Sequence, residues 1–148
     1  MSKYDFFIAG RWRNKDNIIP VVDAVRASGL RAYCFIENAY EGEKLSFNIN
    51  SQDDIEASMQ QSEVLPQDDP MIRKIFTNDI DAERDADNFL LVLPAGIAGH
   101  IEAGVAYGMG KKCYAVGTPE KTETLYCVFD KIFPDVESLV MWLAHKKD

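Results

Sequence analysis

"NFLLVLPAGIAGHIEAGVAYGMGKKCYAVG", residues 88–117, is the stretch on which the fold turns. Its first seven residues are almost uninterrupted apolar ones, the pattern of a strand buried on both faces. From Gly99 the apolar positions take helical spacing until Gly110 stops them, and residues 111–117 read as a strand again. A strand, a helix and a strand in that order make a parallel crossover unit, since parallel neighbours need a long connection.

Working outward, "YDFFIAG" (4–10) is a second short buried strand, and "RAYCFIE" (31–37) a third. Between them "NIIPVVDAVRASG" (17–29) has helical spacing, with Asn17 placed to cap it, Pro20 in the first turn and Gly29 as its stop. The spacing of Met71, Ile75, Phe76 and Ile80 predicts a helix over 70–87. Another helix is expected over 53–65, inside a segment, 38–70, that is long for a compact domain and suits a lid or a contact with a partner subunit. A short helix over 122–130, a brief strand over 131–133 and an amphipathic helix over 135–147 complete the order. The expected architecture is a single-domain, three-layer α/β/α fold spanning 1–148, with a mainly parallel, doubly wound sheet of about five strands of the flavodoxin or Rossmann kind.

Composition narrows the function. The chain has 148 residues, about the usual size of one domain, and 16 basic against 24 acidic residues. That balance has the wrong sign for a nucleic-acid polymer, although a few local amides and arginines can still hold one phosphate. Cys34, Cys113 and Cys127 are odd in number and widely spaced, which suits core residues in a reducing, cytoplasmic setting better than a disulfide framework. The only histidines are His100 and His145, and no short Cys or His pair stands at ligand spacing, so neither a metal nor another cofactor is expected. No apolar run approaches the roughly 18 residues of a membrane span, and no signal peptide is indicated.

In open α/β sheets ligands sit beyond the carboxyl ends of the strands. That rule selects "GRWRN" after the first strand and "PAGIAGHIE" after the central one. In the second loop, Gly99 as the helix cap would make Glu102 the third helical residue, whose carboxylate can fold back as a capping box. The same position can instead present a carboxylate, held ionised by the helix dipole, to a ligand. "GIAGHIEAG" lacks the dinucleotide fingerprint and the Walker Lys-Ser/Thr pair. Arg11 and Arg13 are either surface charges or phosphate ligands, and Trp12 between them could stack on a base or pack. His100 is either solvated or bonded to ligand.

Three short places resemble the nucleoside 2-deoxyribosyltransferase-like proteins, a family of transferases and nucleoside-monophosphate N-glycosidases: "FFIAG" (6–10), "NDIDAERDAD" (78–87) and "GHIEAGVAYGMGKKCYAVG" (99–117). The resemblance implies that Glu102, in "EAGVA", is the nucleophile that attacks the anomeric carbon. It implies that Asp79, after Asn78 and eight residues ahead of Asp87, serves the departing base. It matches Gly10 to the glycine ending the first strand; with the two loops at the strand ends, the residues expected around a substrate are Gly10, Arg11, Trp12, Arg13, Asn78, Pro94, Gly96, Gly99 and His100. The chain departs from the pattern at Phe6, where members often carry an aromatic hydroxyl, and at Gly96, where transferases carry aspartate and monophosphate hydrolases may carry serine. The expected ligand is a small nucleoside or nucleotide, and the expected assembly a homodimer or higher homo-oligomer.

Cleaving the bond from base nitrogen to sugar carbon passes through an oxocarbenium-like state, so one carboxylate is needed at the sugar and one donor at the base. Water then releases the sugar from the enzyme ester, or a second base accepts it. The alternative is a module of the same fold that binds a nucleotide without cutting it.

Overall fold

The computed structural model describes residues 2–37 and 65–146. The helix expected over 53–65, and the lid or partner contact expected of 38–70, fall almost wholly outside the described residues.

Five strands, β1 (Tyr4–Ala9), β2 (Ala32–Cys34), β3 (Ala86–Val92), β4 (Lys112–Val116) and β5 (Lys131–Phe133), form one sheet in the order β2-β1-β3-β4-β5. All four pairings are parallel. Alternation along the strands splits the core in two. Phe6, Ile8, Leu90, Val92, Tyr114 and Val116 face helices α1 (Lys15–Ala27) and α4 (Val136–Lys146), meeting Ile18, Val22, Val25, Leu139 and Leu143. Phe7, Ala9, Phe89, Leu91, Cys113 and Ala115 face α2 (Pro70–Arg84) and α3 (Ile97–Gly108), meeting Ala82, Ala103 and Ala106. Because both faces are covered, the strands carry almost no polar residues, which is why the sequence runs were so apolar. The three-layer, doubly wound expectation holds.

Local chemistry shifts several boundaries. Asp69 caps α2 by accepting from the Met71 and Ile72 amides, and Gly29 and Gly110 adopt positive φ (83° and 80°) just past α1 and α3. Residues Trp12–Asn14 wind into a 3-10 turn that runs directly into α1, so the helix starts at Lys15 rather than at an Asn17 cap. Asn17 instead donates to Asn14 Oδ1 at 2.6 Å, and Pro20 lies inside the helix on its exposed side, not in the first turn. The strand expected over 31–37 is only three residues long and ends in a 3-10 turn at Phe35–Glu37. The short helix expected over 122–130 is a 3-10 turn at Thr124–Val128. Cys34 and Cys113 are buried as expected, but Cys127 is exposed. At the end of α4, Lys146 Nζ sits over the Trp142, Phe6 and Tyr114 rings, 4.7, 5.5 and 5.6 Å from their centroids, so its charge is spent on aromatic faces. No helix among the described residues is long and apolar enough to cross a membrane.

Candidate active site

In the order 2-1-3-4-5 the direction of winding reverses between β1 and β3, and the crevice beyond their carboxyl ends is where such sheets hold ligands. Three contacts shape it. A Cβ at Gly10 would lie 2.8 Å from Ile18 Cδ1, so a larger residue there would displace the Ile18 side chain that packs α1 onto the end of β1. The Asn14 side-chain amide donates to the carbonyls of Leu93 and Pro94, each at 3.4 Å, tying the loop after β1 to the loop after β3. Gly117, at φ 113°, lies so close to Leu93 that a Cβ would be 2.7 Å from the Leu93 carbonyl oxygen, which fixes the far side of the same loop.

Helix α3 begins at Ile97 with Gly96 as its cap, three residues earlier than Gly99 would have placed it. Gly99 is instead pressed onto the sheet, where a Cβ would meet Leu91 Cδ1 at 2.8 Å. Glu102 therefore becomes the sixth helical residue. It lies beyond the reach of a capping box and beyond the first turn where the helix dipole acts. The expectation that the dipole holds it ionised is overturned: burial, then the charges of Asp79 and Glu83, push the Glu102 carboxyl well above its ordinary range. It also acts electrostatically, as a small effect, on the Cys34 thiol at the end of β2.

Asp79 and Glu83 face Glu102 from α2. They lie one turn apart on the stripe that also carries Ile75 and Ala82, the face α2 turns to the sheet. The Tyr33 hydroxyl, on β2, donates to Asp79 Oδ1 at 3.2 Å. Burial raises Asp79 to about 6 and the Tyr33 bond draws it back in part. Tyr33 is held by stacking on Phe7, with centroids 5.2 Å apart and planes at 19°, and Phe7 pairs with it across the sheet. Tyr33, not Tyr4, brings a phenol to a site carboxyl. Phe6 points to the opposite core. Glu83 is 1% exposed, and neither of its carboxyl oxygens has a hydrogen-bond partner among the described residues. Burial and Asp79 raise it to about 8, against a small opposing pull from Lys111. Among the described residues no group of three His, Cys, Asp or Glu is arranged to hold a metal ion.

The remaining predicted residues divide. Arg11 packs at the start of α3, its Nε 3.7 Å from where a Gly96 Cβ would be. Arg13 and Asn78 are exposed, Asn78 about 100° around α2 from Asp79. Trp12 packs edge-on against Phe35, centroids 6.2 Å apart, as part of the α1 core. His100 is engaged within the protein: Nδ1 meets the Gly96 carbonyl oxygen at 2.6 Å and Nε2 the Tyr126 hydroxyl at 2.7 Å. A carbonyl can only accept, so Nδ1 carries the proton, and in the neutral ring Tyr126 donates to Nε2. His100 and Pro94 line a cavity of about 540 Å³ with Gly104, Leu125, Tyr126 and Phe129. Glu102 does not line it, being turned about 200° from His100 on α3. Tyr33, Glu83 and Asn14 are the site residues that sequence reasoning missed.

No protein-family model and no curated protein sequence matches the chain. Solved structures do. The chain is similar to the 2-deoxyribosyltransferase of the psychrotolerant bacterium Bacillus psychrosaccharolyticus, at a TM-score of 0.64 and 15% identity, over 91% of this chain and 89% of that one. It is also similar to the CMP N-glycosidase BcmB of Clostridium botulinum, at a TM-score of 0.52 and 17% identity, over 94% of this chain and 97% of that one. At these identities what is shared is the fold.

Proposed function

We propose that the chain cleaves or transfers the N-glycosidic bond of a nucleoside or nucleoside 5'-monophosphate, with Glu102 as nucleophile and Asp79 serving the base. The observation that carries this reading is the electrostatic coupling of two carboxyls from α2 and α3, one of them, Asp79, held by the Tyr33 hydroxyl of β2. The likeness in fold to a deoxyribosyltransferase and a CMP N-glycosidase supports it.

Burial and the charges of Asp79 and Glu83 favour a proton on Glu102, and Asp79, raised to about 6, ionises near neutral pH. Transfer of the proton from Glu102 to Asp79 makes a carboxylate nucleophile and a carboxylic acid together. Glu102 then bonds to the anomeric carbon as the carbon–nitrogen bond breaks, and the base nitrogen takes the Asp79 proton. Water, giving its proton to Asp79, opens the ester to free sugar; a second base gives transfer instead. The amide end of α3 has glycine rather than a capping side chain, and with Arg11 beside it suits a 5'-phosphate.

The second reading, a module that binds a nucleotide without cutting it, is favoured by Gly96, which brings no side chain to the site, and by Glu102 holding a proton at rest. Incubation with ribo- and deoxyribonucleosides and their monophosphates, with and without an acceptor base, separates the two by chromatography. Free or exchanged base supports catalysis. Saturable binding without release supports the module.

The assembly is read as a homodimer built on α3. Ile97 and Ile101 are 75% and 61% exposed, and they share a stripe with Gly104 and Gly108, around which a side chain would meet nothing within 4 Å. Light scattering at micromolar concentration is expected to give twice the chain mass, and Ile101→Asp to give the monomer. A wild-type monomer would overturn this assembly.

A further inference from the structure

Glu83 has no task in the scheme above, yet its placement is costly. A carboxyl that is 1% exposed and, among the described residues, has no hydrogen-bond partner at either oxygen gains nothing locally from being there. An apolar residue would serve the stripe of Ile75 and Ala82 better. The groups that face it come from each neighbouring element: Asp79 from its own helix, Glu102 from α3, Lys111 from the turn before β4, and Cys113 from β4. Lys111 is partly engaged elsewhere, its Nζ donating to the Arg84 carbonyl at 2.8 Å. Cys113 Sγ lies 3.6 Å from the Lys111 carbonyl oxygen.

We propose that Glu83 is a positioning residue that keeps the transferable proton within the Asp79–Glu102 pair, by placing a third, buried carboxyl on the same face of α2, one turn beyond Asp79. The proposal rests on the reading of that pair as acid and nucleophile. The proton that ends on the departing base must be in the site when substrate arrives, and it is lost if Asp79 and Glu102 both ionise first. A negative charge on Glu83 opposes that second ionisation, since three like charges around one buried space repel more than two. The shared proton is then held to higher pH. Glu83 touches no substrate and forms no bond.

The test compares wild type with Glu83→Gln, which keeps the side-chain shape and cannot ionise, and Glu83→Asp, which restores a charge. In the pH profile of kcat, the alkaline limb of Glu83→Gln is expected to move down by about one pH unit, tenfold in proton affinity, with KM and the acid limb in place. Glu83→Asp is expected to bring the limb back up. A residue with a purely structural role would lower kcat at every pH and leave the limb where it was, and that result overturns the proposal. Carboxyl carbon NMR of protein with labelled glutamate follows the Glu102 titration without turnover. A lower Glu102 titration in Glu83→Gln supports the proposal and an unmoved one sinks it. If no protein in the series turns over any substrate while Glu102 still shifts, the catalytic reading fails and the electrostatic coupling stands.

Discussion

Glu102→Gln is expected to abolish base release, by three orders of magnitude or more (about 4 kcal/mol in the barrier), while leaving the protein at least as heat-stable as wild type. The amide preserves the shape of the side chain but cannot form the glycosyl ester, so the route through a covalent intermediate closes. Stability moves the other way. Burial and two like charges raise Glu102, so at neutral pH folding must put a proton on it, a cost that a neutral amide avoids. Loss of turnover together with an unchanged or higher Tm separates a nucleophile from a residue that merely holds α3 in place. Asp79→Asn is expected to cost less, and least with substrates whose base departs readily as an anion, because those need little help from an acid. Release that survives in Glu102→Gln would end the proposed mechanism.

The second large effect is an inverted dependence of stability on pH. Most proteins gain stability as pH rises from the acid range, because their carboxyls ionise more easily folded than unfolded. Glu83 does the reverse: its carboxyl loses its proton near its ordinary 4.5 in the unfolded chain but only at about 8 in the fold. Its contribution is fully present below about pH 4.5 and is lost as pH rises through about 8. The loss amounts to about 5 kcal/mol at most. Asp79, raised to about 6, and Glu102 add in the same direction. Urea unfolding at about pH 5 and about pH 8 is expected to show the higher midpoint at the lower pH, with the gap narrowed in Glu83→Gln. Equal midpoints in the wild type would mean that these carboxyls are not held in their raised state.

The sheet was legible because its strands are buried on both faces: "FFIA" and "NFLLV" can be little else. The start of α3 was harder, because Gly96 and Gly99 both suit a helix cap and the choice depends on Leu91 pressing against Gly99 across the sheet. That three-residue shift changed the account of Glu102 from a capping position to a half-buried, repelled carboxyl. Asp79 and Glu102 could be named from pattern, but Glu83 was hidden among the acids of "NDIDAERDAD". A signal was there: Glu83 falls on the helical stripe of Ile75, Asp79 and Ala82. Tyr33 could not be placed because its approach to Asp79 depends on the register of β2 against β1. The bond of His100 to Tyr126 could not be foreseen because the partner lies 26 residues away.

The two border strands, β2 and β5, are three residues each, and Lys131 opens the second. A foreign strand seeking a template there would find too few hydrogen bonds to nucleate, and at β5 a charge as well. Concentrated solutions should therefore resist amyloid-like growth from these borders even where subunits pair through α3, so crowding would yield discrete particles rather than fibres.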